Sequence, residues 1–274
     1  MKRMGFSTFM LWVGLLFLYL PMLILVIYSF NASKLVTVWG GLSPKWYAEL
    51  FKDEQILQAV WTSLRIAFFS STMAVVIGTM AAFVMTRFRR SFARLTLSNM
   101  ITAPLVMPDV IIGLSLLLLF VQMGDIFGWP AERGMTTVWI AHSTFCAAYV
   151  AVVVSSRLRD LDFSIEEAAM DLGARPLKVF FVITVPMITP ALVAGWLLSF
   201  SLSLDDLVIA SFVSGPGSTT LPMVVFSSVR LGVSPKINAL ATLIILVVSL
   251  FAFLSWYFAH RAELKSRQQM AAEN

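Results

Sequence analysis

Four groups of residues in this 274-residue chain have the chemistry to do more than fill space. Ser164-Ile165-Glu166-Glu167-Ala168-Ala169, followed by Asp171, Gly173 and Pro176, gathers acids, small residues and turn formers in one short stretch. Asp109 stands inside a long apolar run, and so does the adjacent pair Asp205 and Asp206. His142 and Cys146 share a fourth run. The last group is the weakest. A lone cysteine cannot form an intrachain disulfide and suits a small packing position. His142 has no acid near it in sequence, which predicts a neutral, hydrogen-bonded packing histidine and not a proton relay.

The elements that must position these residues follow from composition. The chain is 59% hydrophobic and 13% charged, with a mean hydropathy of +0.86. Soluble domains carry roughly 25% charged residues. Apolar runs long enough to cross a bilayer predict an all-α integral membrane protein with six transmembrane helices, at about 9–30, 62–86, 101–123, 135–156, 183–213 and 237–259. The first run is long for a cleaved leader and lacks a small-residue cleavage site, so it reads as an uncleaved anchor. Connections are short, and one transmembrane domain over 1–274 leaves no room for a soluble catalytic domain. No G-x-x-x-x-G-K-[ST] occurs, so no nucleotide chemistry is expected in the chain itself.

The net charge of +5 is an orientation signal and not a nucleic-acid footprint. With the amino terminus inside, Lys2, Arg3, Arg87, Arg89, Arg90, Arg94, Arg157, Arg159, Arg175, Lys178, Arg261, Lys265 and Arg267 all fall on one side. That excess places both termini in the cytoplasm. On the other side, Trp39, Trp46 and Tyr47 alternate with charges and predict a surface helix with Trp46 as an interfacial anchor. Gly215-Pro216-Gly217 ends the fifth helix, and the apolar stretch Leu221–Leu231 is too short to span.

The inner segment at about 160–182 mixes acids with bases, which orientation alone does not require. Ser164 and Glu167 match a capping box, so a helix starts near Ile165. Gly173 fits a left-handed position that stops it, and Pro176 suits the first turn of a second short helix. Ala168 and Ala169 let another surface approach the helix backbone, while Glu166, Glu167 and Asp171 offer acids to a basic cleft. The shape is that of a docking knob for a cytoplasmic partner.

Glu167-Ala168-Ala169, three residues, Gly173, nine residues, Ile183, one residue, then Val185-Pro186 resembles the EAA loop of bacterial ABC importer permeases, with Val185 in place of the usual leucine. Further stretches, among them ITAPLVMPDVIIGLSLLLLF and LSLDDLVIASFVSGPGSTTLP, are similar to the polyamine branch of that family, its putrescine permeases above all. The resemblance runs from about Tyr28 to Leu243 and implies a subunit of the bacterial inner membrane. The expected partners are a second, different permease chain, two cytoplasmic ATPase subunits and a periplasmic polyamine-binding protein. ATP and Mg would then be bound by the ATPase, and this chain would need no cofactor. A permease for another small solute, or an ion-coupled secondary transporter, is the alternative.

Against that background the buried acids gain a reason. An aspartate at a helix centre costs about 2.5–3.5 kcal/mol on the translocon scale. A polyamine losing water in a narrow path would be solvated by carboxylates. Asp109 is expected about 13 Å into its span, where it either lines the path or caps a helix resuming after Pro108. Asp205 and Asp206 point about 100° apart, so one is expected to pair with Arg65 and the other to remain for the substrate. Gly78 and Ala82 form a small-x3-small pair expected to pack against a neighbouring helix.

Overall fold

The computed structural model describes residues 5–35, 38–87, 92–232 and 234–250, together with Phe253 and Tyr257. Lys2, Arg3, Arg89, Arg90, Arg261, Lys265 and Arg267, and most of the last expected span beyond Leu250, lie outside the described residues. Among the described residues the chain is helical, with a single bridge between Asn31 and Leu42. It divides into two compact units, Met1–Glu54 with Val225–Asn274, and Gln55–Val224.

The first unit contains α1 (Phe6–Tyr28), α2 (Lys45–Leu50) and the apolar helix Pro235–Leu250, numbered α12 below. None of the residues of α1 is buried, although the helix is apolar on every side. A helix of that kind requires apolar surroundings, which a bilayer supplies. The segment after α1 is organised by Asn31, whose Nδ2 donates to Val38 O at 2.8 Å and whose Oδ1 accepts from Gly40 N at 2.8 Å. Trp46 packs onto the same residue. Its Nε1 donates to Asn31 O at 2.6 Å and the side chain is buried, so the expected interfacial anchor is instead a core residue of this unit. Lys236 closes the unit with an ion pair to Asp53 at 3.1 Å.

The second unit is built around α6 (Met135–Asp160), whose apolar window is 67% buried where that of α1 is 0%. Against α6 pack α3 (Glu54–Arg87), α4 (Phe92–Val106), α9 (Val185–Asp205) and α10 (Val208–Val213), and α5 (Asp109–Phe127) packs on α10. Ile66, Ala74, Ala82, Val150, Val154, Leu158, Ile188 and Ile209 are among the residues of this core. The small residues of α3 do what their spacing predicts. A Cβ at Gly78 would lie 2.7 Å from Val150 Cβ and 2.8 Å from Ala147 O, so only glycine permits this approach of α3 to α6. Gly78→Leu is expected to lower stability by about 1–3 kcal/mol through overpacking, read as a fall in the thermal midpoint of the detergent-solubilised protein.

Among the described residues five helical segments are long and apolar enough to cross a membrane: α1, α3, α5, α6 and the continuous stretch Pro176–Asp205. Two expected spans differ from prediction because each is broken. The one expected at 101–123 is α4 and α5, separated at Met107-Pro108. Proline has no N–H to donate and disfavours helical geometry in the residue before it, so the ladder stops there. The one expected at 183–213 is α9 and α10, separated at Asp206-Leu207. At α9's other end, α8 (Pro176–Val179) runs into it through a widened turn at Phe180–Thr184. That turn lies next to Pro186, which removes one bond of the α-helical ladder. Between α6 and α8 sits α7 (Ser164–Asp171), and α11 (Leu221–Leu231) is the short apolar helix after the Gly215-Pro216-Gly217 turn.

Candidate functional site: two helix breaks and a loop helix

The two breaks lie side by side. A Cβ at Gly113 of α5 would lie 2.6 Å from the Phe212 ring and 3.3 Å from Ile209 Cα, both on α10. Further along, Phe120 and Gly124 of α5 line the same cavity as Gly215, just beyond α10. The two helices therefore run parallel, and their amino termini sit at the same end of the contact. Asp109 is four residues before Gly113 and so shares its helix face. Asp109, Asp205 and Asp206 thus gather around one pair of helix interruptions.

The three carboxylates are placed differently. Asp109 occupies the first turn of α5 behind Pro108 and is exposed. Its negative charge still faces the positive end of the helix dipole. Asp206 is drawn into the bundle. Its Oδ1 accepts from Ile209 N at 3.3 Å and its Oδ2 from Ala210 N at 2.8 Å, which satisfies orphan donors of α10. Its Oδ2 also lies 3.1 Å from His142 Nε2, a close contact not aligned as a hydrogen bond. Asp205 ends α9 and is exposed. It stands where the helix dipole is negative, and no ion pair to it forms among the described residues.

Two expectations change here. Arg65 does not pair with either aspartate; its guanidinium lies over the Trp61 ring, 4.7 Å from the centroid, beside Gln58 and Thr62 in a different cavity. His142 is hydrogen-bonded, Nδ1 to Ser203 Oγ at 2.7 Å, but it does have an acidic partner. Sequence distance hid that partner: α9 and then α10 run along α6, setting Ser203 against His142 and Val213 against Thr137, and Asp206 lies between them. Cys146 is buried, with Sγ directed at Ser199 O at 3.5 Å, in keeping with a packing role.

The loop helix α7 begins differently from the capping box expected of Ser164 and Glu167. Phe163 is the residue before the helix and offers no side-chain acceptor. Asp162 supplies the acceptor instead, taking Ser164 N at 3.0 Å, while Phe163 O takes Glu166 N and Glu167 N at 3.0 and 3.1 Å. A charged acceptor two residues upstream outcompetes the serine hydroxyl. The same hydrogen bond holds the Asp162 carboxyl below its ordinary range.

The end of α7 follows prediction in full. Gly173 has φ +87, Gly173 N donates to Met170 O at 2.9 Å and Ala174 N to Ala169 O at 3.1 Å, a complete Schellman motif. Pro176 then opens α8. Glu167, Ala168 and Asp171 are exposed and Ala169 is half-buried. Sequence reasoning missed the apolar part of this face: Leu172 is 91% and Leu177 74% exposed, flanking the turn. Glu166 points the other way and is buried, apart from the exposed acids Glu167 and Asp171 with which it was grouped.

Residues 74–263 match the family described as binding-protein-dependent transport system inner membrane component. The chain is 66% identical over 261 residues to the putrescine transport system permease protein PotI of Escherichia coli K12, a match covering 95% of this chain and 93% of the relative. It is 40% identical over 249 residues to the spermidine/putrescine transport system permease protein PotC of the same strain, covering 91% of each. A solved bacterial ABC transporter that imports the acidic polysaccharide alginate superposes with a TM-score of 0.72 at 17% identity, over 92% of this chain and 95% of that one. The MetNI methionine ABC transporter superposes at 0.56 and 18%, over 73% and 92%. At such identities the structures speak for the fold alone.

Proposed function

The chain belongs to the inner-membrane permease components of binding-protein-dependent ABC transport systems, and on that premise we propose that it is the membrane-spanning subunit of an ATP-driven polyamine importer of the putrescine type. The near full-length likeness to a putrescine transport permease carries the reading. Six spans, both termini in the cytoplasm and a single permease domain over 1–274 complete the picture, with α12 as the start of the sixth span. α7 is then the cytoplasmic coupling helix, and Glu167, Ala168, Ala169, Asp171 and Leu172 form the face met by an ATPase subunit. ATP and Mg are bound there and not by this chain. A second permease closes the pore, and a periplasmic binding protein delivers the cargo.

The paired breaks supply a site of the right sign for a polyamine. Interrupted helices in transporters expose backbone dipoles near the path taken by the cargo. Asp205 adds a carboxylate to the negative end of α9, where an ammonium group would relieve the unfavourable field. The same fold serves alginate import, so the scaffold does not select cargo. Three aspartates at one pair of breaks would repel an anion and suit a cation. A permease for a different small solute is less favoured on that account. A secondary transporter leaves the exposed face of α7 unexplained.

Cells stripped of their own putrescine uptake and supplied with this chain and its partner subunits are expected to accumulate labelled putrescine, and cells lacking only this chain are not. Equal accumulation in both would remove the assignment.

A further inference from the structure

Glu166 is the member of the acidic group in α7 that turns away from the docking face. Its side chain is buried, and Oε1 accepts two hydrogen bonds: from Arg87 Nη2 at 3.0 Å and from Thr184 Oγ1 at 3.0 Å. Arg87 is the last residue of α3, and its guanidinium also lies over the Phe163 ring, 5.0 Å from the centroid, at the start of α7. Thr184 is 1% exposed and sits where the widened turn becomes α9. One carboxylate oxygen therefore joins the end of α3, the loop helix and the foot of α9.

Orientation explains why basic residues cluster at the end of α3, but not why one of them is buried against an acid. Charges removed from water are retained at a cost that apolar packing would avoid, and what they give in return is a fixed direction. Without the tie, α7 would hang from two short connections, Leu161–Phe163 and Leu172–Arg175, and a displacement of α7 would be absorbed there. With it, α7 moves as a body with α3 and α9, and α9 is the helix that ends in Asp205 at the break.

We propose that Glu166 is a positioning residue, the joint that transmits motion of α7 to α3 and α9, and not a contact to the ATPase. This rests on the reading of α7 as the coupling helix. The test uses the complete importer in proteoliposomes, comparing wild type, Glu166→Gln, Thr184→Val and the exchange Arg87→Glu/Glu166→Arg. Glu166→Gln is expected to retain the ATPase at wild-type yield while both putrescine uptake per ATP and stimulation of hydrolysis by loaded binding protein fall at least about five-fold, the lower edge of ordinary coupling between sites. The exchange is expected to recover both, which a general loss of packing would not do. Wild-type coupling in Glu166→Gln, or loss of the ATPase from it, overturns the proposal. If Glu166→Gln does not accumulate, Thr184→Val, which keeps the ion pair and removes one donor, must still lower the stimulation; an unchanged value overturns the proposal as well. The wild-type complex tests the underlying reading separately: if the loaded binding protein does not stimulate its ATPase, that reading fails whatever the Glu166 variants do.

Discussion

Gly173→Val is expected to leave the permease in the membrane at wild-type level and to cut the amount of ATPase that co-purifies with it by about ten-fold or more. The backbone at Gly173 has φ +87, and a β-branched residue there is a genuine outlier. Left-handed geometry costs an ordinary residue about 1–2 kcal/mol, and the space around a Cβ at this position is empty, so strain and not collision is the cause. The chain relieves it by giving up the bonds Gly173 N to Met170 O and Ala174 N to Ala169 O. Leu172 and Leu177 then leave the positions from which they face outward beside Glu167 and Ala168. None of the spans depends on those bonds, so insertion is spared. Quantifying the ATPase recovered with the solubilised variant reads the effect directly.

The second large effect is expected at the breaks. Asp205→Asn should reduce putrescine uptake about ten-fold or more, roughly the 1.4 kcal/mol that one lost charge interaction can supply, without changing the thermal midpoint. Its side chain is exposed and holds no structural partner among the ion pairs of the described residues. Asp206 should behave in the opposite way. Asp206→Ala removes the acceptor for Ile209 N and Ala210 N and leaves His142 beside no acid, so stability falls by about 0.5–2 kcal/mol from the lost cap alone. Asp206→Asn keeps an acceptor at the cap and should recover most of that stability. Uptake at wild-type rate by both Asp205→Asn and Asp109→Asn would leave the breaks without a role in cation transfer.

Much of this was legible in the residues. Apolar runs marked the five long helices because crossing a bilayer requires about 20 apolar residues, and Gly173 and Pro176 marked helix ends because each is suited to one backbone geometry. The EAA loop spacing identified the family without any tertiary information. What escaped was set by contacts between distant positions. The break after Val106 was foreseen in the alternative of a helix resuming after Pro108, whereas the break after Asp205 was hidden inside a run of continuous hydropathy, where only the paired acids hinted at it. His142 meets Asp206, Arg87 meets Glu166, and Arg65 turns to Trp61, three partnerships that no local spacing encodes. Glu166 and Glu167 look equivalent in sequence. Adjacent positions on a helix differ by about 100°, and that turn separates a buried carboxylate from an exposed one.

The central claim is that this chain moves polyamines by coupling to an ATPase through α7. Proteoliposomes holding the chain with its partner permease and ATPase, supplied with loaded binding protein, measure it most directly. Putrescine accumulation that requires ATP and is unaffected by collapsing the ion gradients is the predicted result. Accumulation driven by an ion gradient without ATP, or ATP hydrolysis with no polyamine taken up, would contradict it.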